Sequence, residues 1–392
     1  MNEIIEHEEL ESNPEFAASV LVSKLSERLQ EGKSADLTIL DVDGTVYEKT
    51  KNEEGNWQKH GDNTATSGIL EQENIPLVLC TGRPDWNEKA DNEMQGLNLS
   101  SADAVIAGAG SIIYLRTPDG RLELSRDFDK IQREQKISYQ YNDQKVDTIY
   151  DPELIANILN NQLTQYQGFA GCRVDTNASI GYATIDVEKI PFDELSKMLR
   201  EINSSIEGVK TTPSENAEDI NDEYFTGWIM VLPASAGKDK AVRFLMEQTA
   251  NTINPAKIDQ KKPTAHTVGD ATIDIWMLSL GTGSKDDYNI KGYGLGNLTP
   301  LATKRLKKLS NAFALNDEER QQILADIDAQ TIEQQTAQLR QQLLTGNDEE
   351  KAAASDQLRK ISVVQDPNRR RADFRIIEQS GPNGVLEVVK NI

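Results

Sequence analysis

An α/β fold built on a parallel sheet, with an inserted α+β domain and a C-terminal helical and β extension, is predicted by three features of this sequence. Four short apolar runs end in a polar residue or glycine: Leu37 to Leu40 before Asp41, Pro76 to Cys80 before Thr81, Ala104 to Ala107 before Gly108, and Thr264 to Val268 before Gly269. Amphipathic segments of helical length separate them, the rhythm of strands that cross over through helices. Between about Ser111 and Leu232 the texture changes: strand-like Tyr182 to Val187 and Thr226 to Leu232 flank a helix near Pro191 to Ile202. In sheets of this kind ligands sit beyond the carboxyl ends of the strands, so the residues just past those ends are where chemistry is sought.

Taken in order, residues 1–35 read as an acidic lead and a helix. Asn13 is its N-cap and Pro14 lies in its first turn; Phe16, Val20, Leu21, Leu25 and Leu29 share one face, and Gly32 ends it. Residues 36–112 and 233–300 form the expected core, and 113–232 the insertion. Beyond Pro300 a charged, Gln-rich helical stretch carries Ile323, Leu324, Ile327, Leu339, Leu343 and Leu344 on one side. It either packs on the core or mediates self-association or recruitment of a protein partner. Lys360 to Val364, Phe374 to Glu378 and Val385 to Val389 read as strands, the last two joined through Gly381-Pro382-Asn383-Gly384. Together these make residues 301–392 the extension.

The 392 residues suffice for more than one core. A formal charge of −22, from 64 acidic against 42 basic residues, argues against nonspecific nucleic-acid binding and against anionic membrane surfaces. A local metal and a few cations can still admit an anionic substrate. Cys80 and Cys172 are too few and too far apart for a disulfide framework or a zinc site. Met1 to Glu11 lacks the basic start and apolar run of a signal peptide, and no stretch has the length of a membrane span. A cytosolic protein is expected.

Asp41-Val42-Asp43-Gly44-Thr45 follows a buried-looking strand, so two carboxylates emerge at its end and Gly44 allows a tight turn. An Asp there can attack a phosphoryl group to give an acyl phosphate, and a second carboxylate two residues on can serve as acid and then base. The plainer alternative is an acidic loop. Carboxylates alone repel phosphate, so cations and donors are required at neighbouring strand ends. Thr81-Gly82-Arg83 offers a hydroxyl, a backbone N–H and a guanidinium, or is an ordinary turn. Ala236-Gly237-Lys238 opens a helix, which puts Lys238 where anions are favoured, though a lone Lys there is usually a surface residue. Gly269-Asp270-Ala271-Thr272-Ile273-Asp274 adds oxygen ligands of the kind magnesium takes, or is a capped helix start. Ala107-Gly108-Ala109-Gly110-Ser111 lacks the glycine spacing of a nucleotide loop and reads as a turn. His7, His60 and His266 have no ligand spacing, and Arg369-Arg370-Arg371 reads as a solvated run.

In that order, Asp41 to Thr45, Thr81, Lys238 and Gly269 to Asp274 resemble the four motifs of haloacid dehalogenase-type phosphatases, over about Asp36 to Pro300. The long interval from Thr81 to Lys238 resembles the C2-capped subgroup. Thr81-Gly82-Arg83, Ala236-Gly237-Lys238 and Gly294 to Asn297 are most similar to sucrose-phosphate phosphatases and related sugar-phosphate phosphatases. The resemblance implies a Rossmann-like core and a magnesium-dependent phosphatase acting on a small phosphorylated metabolite. In it Asp41 is the nucleophile and a metal ligand, and Asp43 is the acid and base, with its main-chain carbonyl also on the metal. Thr81, Gly82 and Lys238 hold the phosphoryl group. Asp270 ligates Mg2+, and Asp274 supports either the metal or Lys238. Arg83 and Asn297 shape the substrate side. Ala271 and Ile273 stand where the family commonly has Ser and Asn, and Asp239 where it has Gly. These departures imply an altered metal environment and a weaker pull of Lys238 on phosphate, and keep open a non-catalytic binding or regulatory protein.

Overall fold

A computed structural model describes residues 13–52, 57–83, 85–141, 144–175, 181–215, 223–253, 262–278, 280, 287–299, 302–303, 339, 342, 350, 353–354 and 373–392. Its centre is an eight-stranded sheet in the order Asp373–Ile376, Asn289–Gly294, Thr264–Gly269, Asp36–Asp41, Leu77–Cys80, Ala104–Ala107, Ile112–Arg116, Leu122–Leu124. The first six strands run parallel and the last two antiparallel. The four strands expected from apolar runs are all present, each within a residue of its expected limits.

Because successive side chains of a strand point to opposite faces, each apolar run serves two layers at once. Leu37, Ile39, Val78, Cys80, Ala104 and Ile106 face one layer, closed by the helices Val20–Gln30 and Lys238–Ile253. Leu40, Leu77, Leu79, Val105 and Ala107 face the other, closed by Thr64–Gln72, Glu88–Gly96 and Gly381–Val389. This burial on both faces explains why the runs are continuous rather than alternating.

The single N-terminal helix expected after Asn13 is two. Asn13 caps Pro14–Ala17, and then Ser19 accepts from the Val22 N–H and starts Val20–Gln30 afresh. The break lets Phe16 and Leu21 both be buried. Gly32 follows the second helix with φ +77°, as a stop should.

Ile112–Arg116 and Leu122–Leu124 extend the core sheet through a Thr117-Pro118-Asp119-Gly120 turn, and Phe128 of the helix Arg126–Arg133 packs against Phe244. From Lys136 onward come two antiparallel sheets. One has the order Phe169–Asp175, Tyr182–Pro191, Tyr224–Pro233, Val209–Glu215, and the other Ile206–Glu207, Lys136–Tyr141, Gln144–Ile149. With the helices Pro152–Gln162 and Phe192–Ser205 they enclose a third core around Ile185, Leu195, Met198 and Ile229. The opposite face of the larger sheet sets Tyr182, Met230 and Leu232 against the main core.

At the C-terminus, Asp373–Ile376 is a strand as expected and completes the core sheet. Val385 to Val389 is not a strand. Gly381-Pro382 opens the helix Gly381–Val389, with Pro in its first turn and Val385, Val388 and Val389 buried on one face. The 385, 388, 389 spacing is helical, and β-branched composition concealed it. Lys360 to Val364 and most of the Gln-rich stretch lie outside the described residues; of its apolar side, Leu339 is described and buried. Among the described residues no helix is long and apolar enough to cross a membrane.

The helical reading has a direct check. Val388→Ala should cost roughly 1–3 kcal/mol in urea unfolding, whereas Glu387→Ala, on the exposed side, should stay within about 0.5 kcal/mol. A strand with residue 387 inward and 388 outward would invert the two results.

Candidate active site

Asp41 ends its strand in the series Leu37, Ile39, Asp41, so its carboxylate points into the layer where the helix Lys238–Ile253 begins. Two glycines make the approach feasible. A Cβ on Gly110 would lie 2.1 Å from the Gly237 carbonyl carbon, and the Gly237 N–H donates to the Gly110 carbonyl at 3.1 Å. The Gly108–Gly110 turn thus serves as a seat for the Lys238 loop rather than as a nucleotide loop. A Cβ on Gly44 would lie 2.2 Å from Asp270 Oδ2; the Gly44 turn, at φ +93°, brings the first strand end against the Asp270 loop.

Lys238 is 2 % exposed, and its ammonium donates to Asp41 Oδ1 and Asp274 Oδ1, each at 2.5 Å. Asp274, wholly buried, uses its other oxygen to accept from the backbone N–H groups of Asp270 (3.2 Å) and Ala271 (3.0 Å). Both its oxygens therefore accept hydrogen bonds that organise the site. Asp270 accepts from Thr45 Oγ1 at 2.9 Å and from Asn297 Nδ2 at 3.0 Å; Asn297 also donates to the Gly44 carbonyl at 2.9 Å. Asn297 thus ties the Gly44 turn to the carboxylate cluster.

Oxygens of Asp41, Asp270 and Asp274 all lie within 4.8 Å of one another. Three carboxylates against one ammonium leave two negative charges uncompensated. Burial, and after it the Asp274 carboxylate, push the Asp41 carboxyl up to about 7 against the pull of Lys238. Burial, and after it the Asp41 and Asp274 carboxylates, raise Asp270 well above the carboxylate range. Burial works against the Lys238 ammonium, yet Asp274 and Asp41 outweigh it and hold the group charged. An all-oxygen, acidic, desolvated donor set with surplus negative charge fits a hard divalent cation such as magnesium.

Thr81 is buried at the end of Leu77–Cys80, and its hydroxyl accepts from the Arg83 N–H at 3.1 Å. Arg83, expected on the substrate side, directs its guanidinium onto protein groups. Nε donates to Asp43 Oδ2 at 3.1 Å, and the terminal nitrogens reach Tyr47 Oη (2.9 Å) and both Glu93 oxygens (2.9 and 3.3 Å). Tyr47 donates to Asp43 Oδ1. Asp43 therefore stands in this second group, at the rim, with a side chain 35 % exposed against 5 % for Asp41.

The family departures are absorbed locally. Asp239 is bound by Lys210 of the strand Val209–Glu215, so the extra negative charge beside Lys238 has its own counterion, brought by the insertion. Lys210 also lies 5.8 Å over the ring of Trp276. Ile273 is buried, and its Cδ1 is 3.4 Å from where a Gly82 Cβ would stand; apolar packing takes the place of a polar side chain there. Sequence reading missed Thr45, Tyr47, Glu93 and Lys210 as members of this neighbourhood. Thr45 was within the quoted motif, but the other three carried no motif signal, since what selects them is the fold.

With that geometry in place, the family profile described as haloacid dehalogenase-like hydrolase matches residues 38–284. The chain belongs to the haloacid dehalogenase-like hydrolase family. No curated protein sequence matches it. Solved structures similar to this hydrolase include the sucrose-phosphatase of Synechocystis sp. PCC6803, in complex with sucrose and phosphate, at 14 % identity and TM-score 0.44, covering 91 % of this chain and 98 % of that one. A haloacid dehalogenase-like hydrolase from Bacillus subtilis is similar at 16 % identity and TM-score 0.39, covering 72 % and 91 %. The C-terminal domain of the C. albicans trehalose-6-phosphate phosphatase is similar at 12 % and TM-score 0.38, covering 66 % and 76 %.

The raised carboxyls set a pH dependence. Between the ordinary Asp value of 3.8 and about 7 the folded hydrolase keeps a proton on Asp41 that the unfolded chain has lost. Stability of the metal-free protein therefore falls as pH rises through that window. Asp270 shifts in the same sense, while Asp36 is lowered and acts below the window. In chelator, the thermal midpoint should fall from pH 5 to pH 8, and added Mg2+ should raise it more at pH 8 than at pH 5. Midpoints indifferent to both would remove the cation site.

Proposed function

We propose that this hydrolase is a magnesium-dependent phosphomonoesterase, acting on a small phosphorylated metabolite of the sugar-phosphate class through an aspartyl-phosphate intermediate. The observation that carries the reading is the buried Asp41 carboxylate at a strand end, held by Lys238 and set beside Asp270. Asp41 Oδ attacks phosphorus; the ester P–O bond breaks and the leaving oxygen takes a proton from Asp43. Asp43 then accepts a proton from water, whose oxygen attacks phosphorus, and the P–O bond to Asp41 breaks to release phosphate. Thr81 Oγ1, the Gly82 N–H and Lys238 are the donors for the phosphoryl oxygens. Asp41, Asp270 and the Asp43 main-chain carbonyl would hold Mg2+, with Asp274 bracing both Lys238 and the Asp270 loop. A bound Mg2+ supplies charge neutralisation at the phosphoryl oxygens.

A sugar phosphate as substrate rests on the motif resemblance at Thr81 to Arg83, Ala236 to Lys238 and Gly294 to Asn297, and on an insertion large enough to cover a small polar ligand. The charge objection to catalysis loses force, because Lys210 neutralises Asp239. A cytosolic site of action is consistent with Cys80 and Cys172 both being free thiols.

A screen of sugar phosphates with Mg2+ and with chelator tests activity, metal and substrate class together. Asp41→Asn should retain its fold and its thermal transition while phosphate release falls by at least about 10³-fold. Undiminished turnover in that variant would remove Asp41 from the chemistry, and tight sugar-phosphate binding without turnover in the parent protein would favour a binding protein.

A further inference from the structure

We infer that Tyr47 is a positioning residue for Asp43, acting with Arg83 and Glu93; the inference deepens the phosphatase reading and rests on it for the role of Asp43. Among the described residues Tyr47 and Tyr288 are the largest fully buried side chains, and Tyr47 has no exposed surface. A phenol hydroxyl so buried requires partners, and it has two. Arg83 can only donate, so at 2.9 Å it takes a lone pair of Tyr47 Oη. The phenol has a single proton, and with Arg83 on the acceptor side that proton is directed at Asp43 Oδ1. Arg83 Nε meanwhile holds Asp43 Oδ2 at 3.1 Å. Both oxygens of Asp43 are thus gripped from one side by two donors that also bond to each other.

The grip is itself anchored. Glu93, on the helix Glu88–Gly96, accepts from two terminal nitrogens of Arg83 and is further bound by Lys59 of the strand Trp57–His60. Lys59 also lies 4.8 Å over the Tyr47 ring. The Arg83 carbonyl accepts from the Gly108 N–H at 2.6 Å, which fixes the backbone behind the guanidinium. Asp43 is the partly exposed residue of a turn whose neighbours Val42, Thr45 and Val46 are buried, its side chain 35 % exposed. Without Tyr47 its carboxylate loses a partner that cannot move, since a wholly buried ring leaves no room for reorientation. The aim of the acid toward a leaving oxygen is therefore set six residues past the nucleophile, by a residue that touches neither substrate nor metal.

Tyr47→Phe keeps the ring and removes the hydroxyl. Turnover of an alkyl or sugar phosphate should fall on the order of 10- to 100-fold with KM within about twofold, because a misaimed acid costs rate and not binding. Turnover of p-nitrophenyl phosphate, whose leaving group departs without a proton, should fall less. Glu93→Gln should show the same split to a smaller degree. Equal losses on both substrates in the first-turnover rate of leaving-group release, or no loss on the alkyl substrate, would overturn the inference. Crystal structures of the parent protein and Tyr47→Phe supply a readout that needs no turnover. The Asp43 side chain should leave its single position in the variant, and an unmoved Asp43 would overturn the positioning role even if the parent proved inactive. An inactive parent with Asp43 displaced in the variant would instead defeat the phosphatase reading and leave the grip intact.

Discussion

Lys238 is buried between two carboxylates, and the form of the site follows from what it takes to hold it there. An ammonium out of water costs several kcal/mol unless it is paired and hydrogen-bonded. Asp41 and Asp274 supply the pairing, at 2.5 Å each. Neither can move away without leaving a bare charge. Three segments far apart in the chain are consequently tied at one point: the strand Asp36–Asp41, the helix Lys238–Ile253 and the loop Gly269 to Asp274. Gly110 and Gly44 lack side chains where those segments would otherwise collide. The same knot leaves surplus negative charge, so it is held under electrostatic tension until a cation or a proton arrives.

That tension explains how the departures from the family pattern are accommodated. Asp239 adds a carboxylate next to Lys238, which would weaken the field on an anion if it stood alone. The insertion answers with Lys210, and the pair is largely buried, with side chains 19 % and 16 % exposed. The inserted sheet is thereby bonded to the core at the mouth of the site, and Trp276 flanks the same lysine. At Ile273 the chain replaces a polar position with packing against Gly82. On the proposed reading, the donors to a phosphoryl group remain Thr81, the Gly82 N–H and Lys238, all held by the core.

The core of this arrangement was legible because its signals are local. A strand buried on both faces must be an unbroken apolar run, and a polar residue at or just past the end of such a run must stand at the carboxyl end of the sheet; Asp41, Thr81 and Asp270 all announce themselves this way. Lys238 was legible through the glycine before it and the helix after it. Tyr47 was not, because a lone aromatic in a mixed segment reads as core, and its ring is indeed buried; only its hydroxyl has another duty. Glu93 and Lys210 are ordinary charged residues on a helix and a strand, and nothing but the tertiary fold brings them to Arg83 and Asp239. The C-terminal helix was misread for a related reason. Val385, Leu386, Val388 and Val389 have strand propensity, yet a face of the core lacking a cover decides their conformation.

The separation of the two acidic residues of the first motif has a consequence for how a substrate must enter. Asp41 is deep and enclosed, while Asp43 is at the rim beside Arg83 and Tyr47. On the proposed reading, a phosphoryl group held against Asp41, Thr81 and Lys238 would point its ester oxygen outward, toward Asp43. On that reading the organic remainder of the substrate would lie on the open side of Asp43. Recognition of the phosphoryl group belongs to buried residues whose places are fixed by the core sheet. Recognition of the remainder falls to residues of the rim and the inserted sheets, which the core does not constrain. The two can change independently, and this is why motifs at the strand ends identify the chemistry while leaving the identity of the leaving group to the insertion.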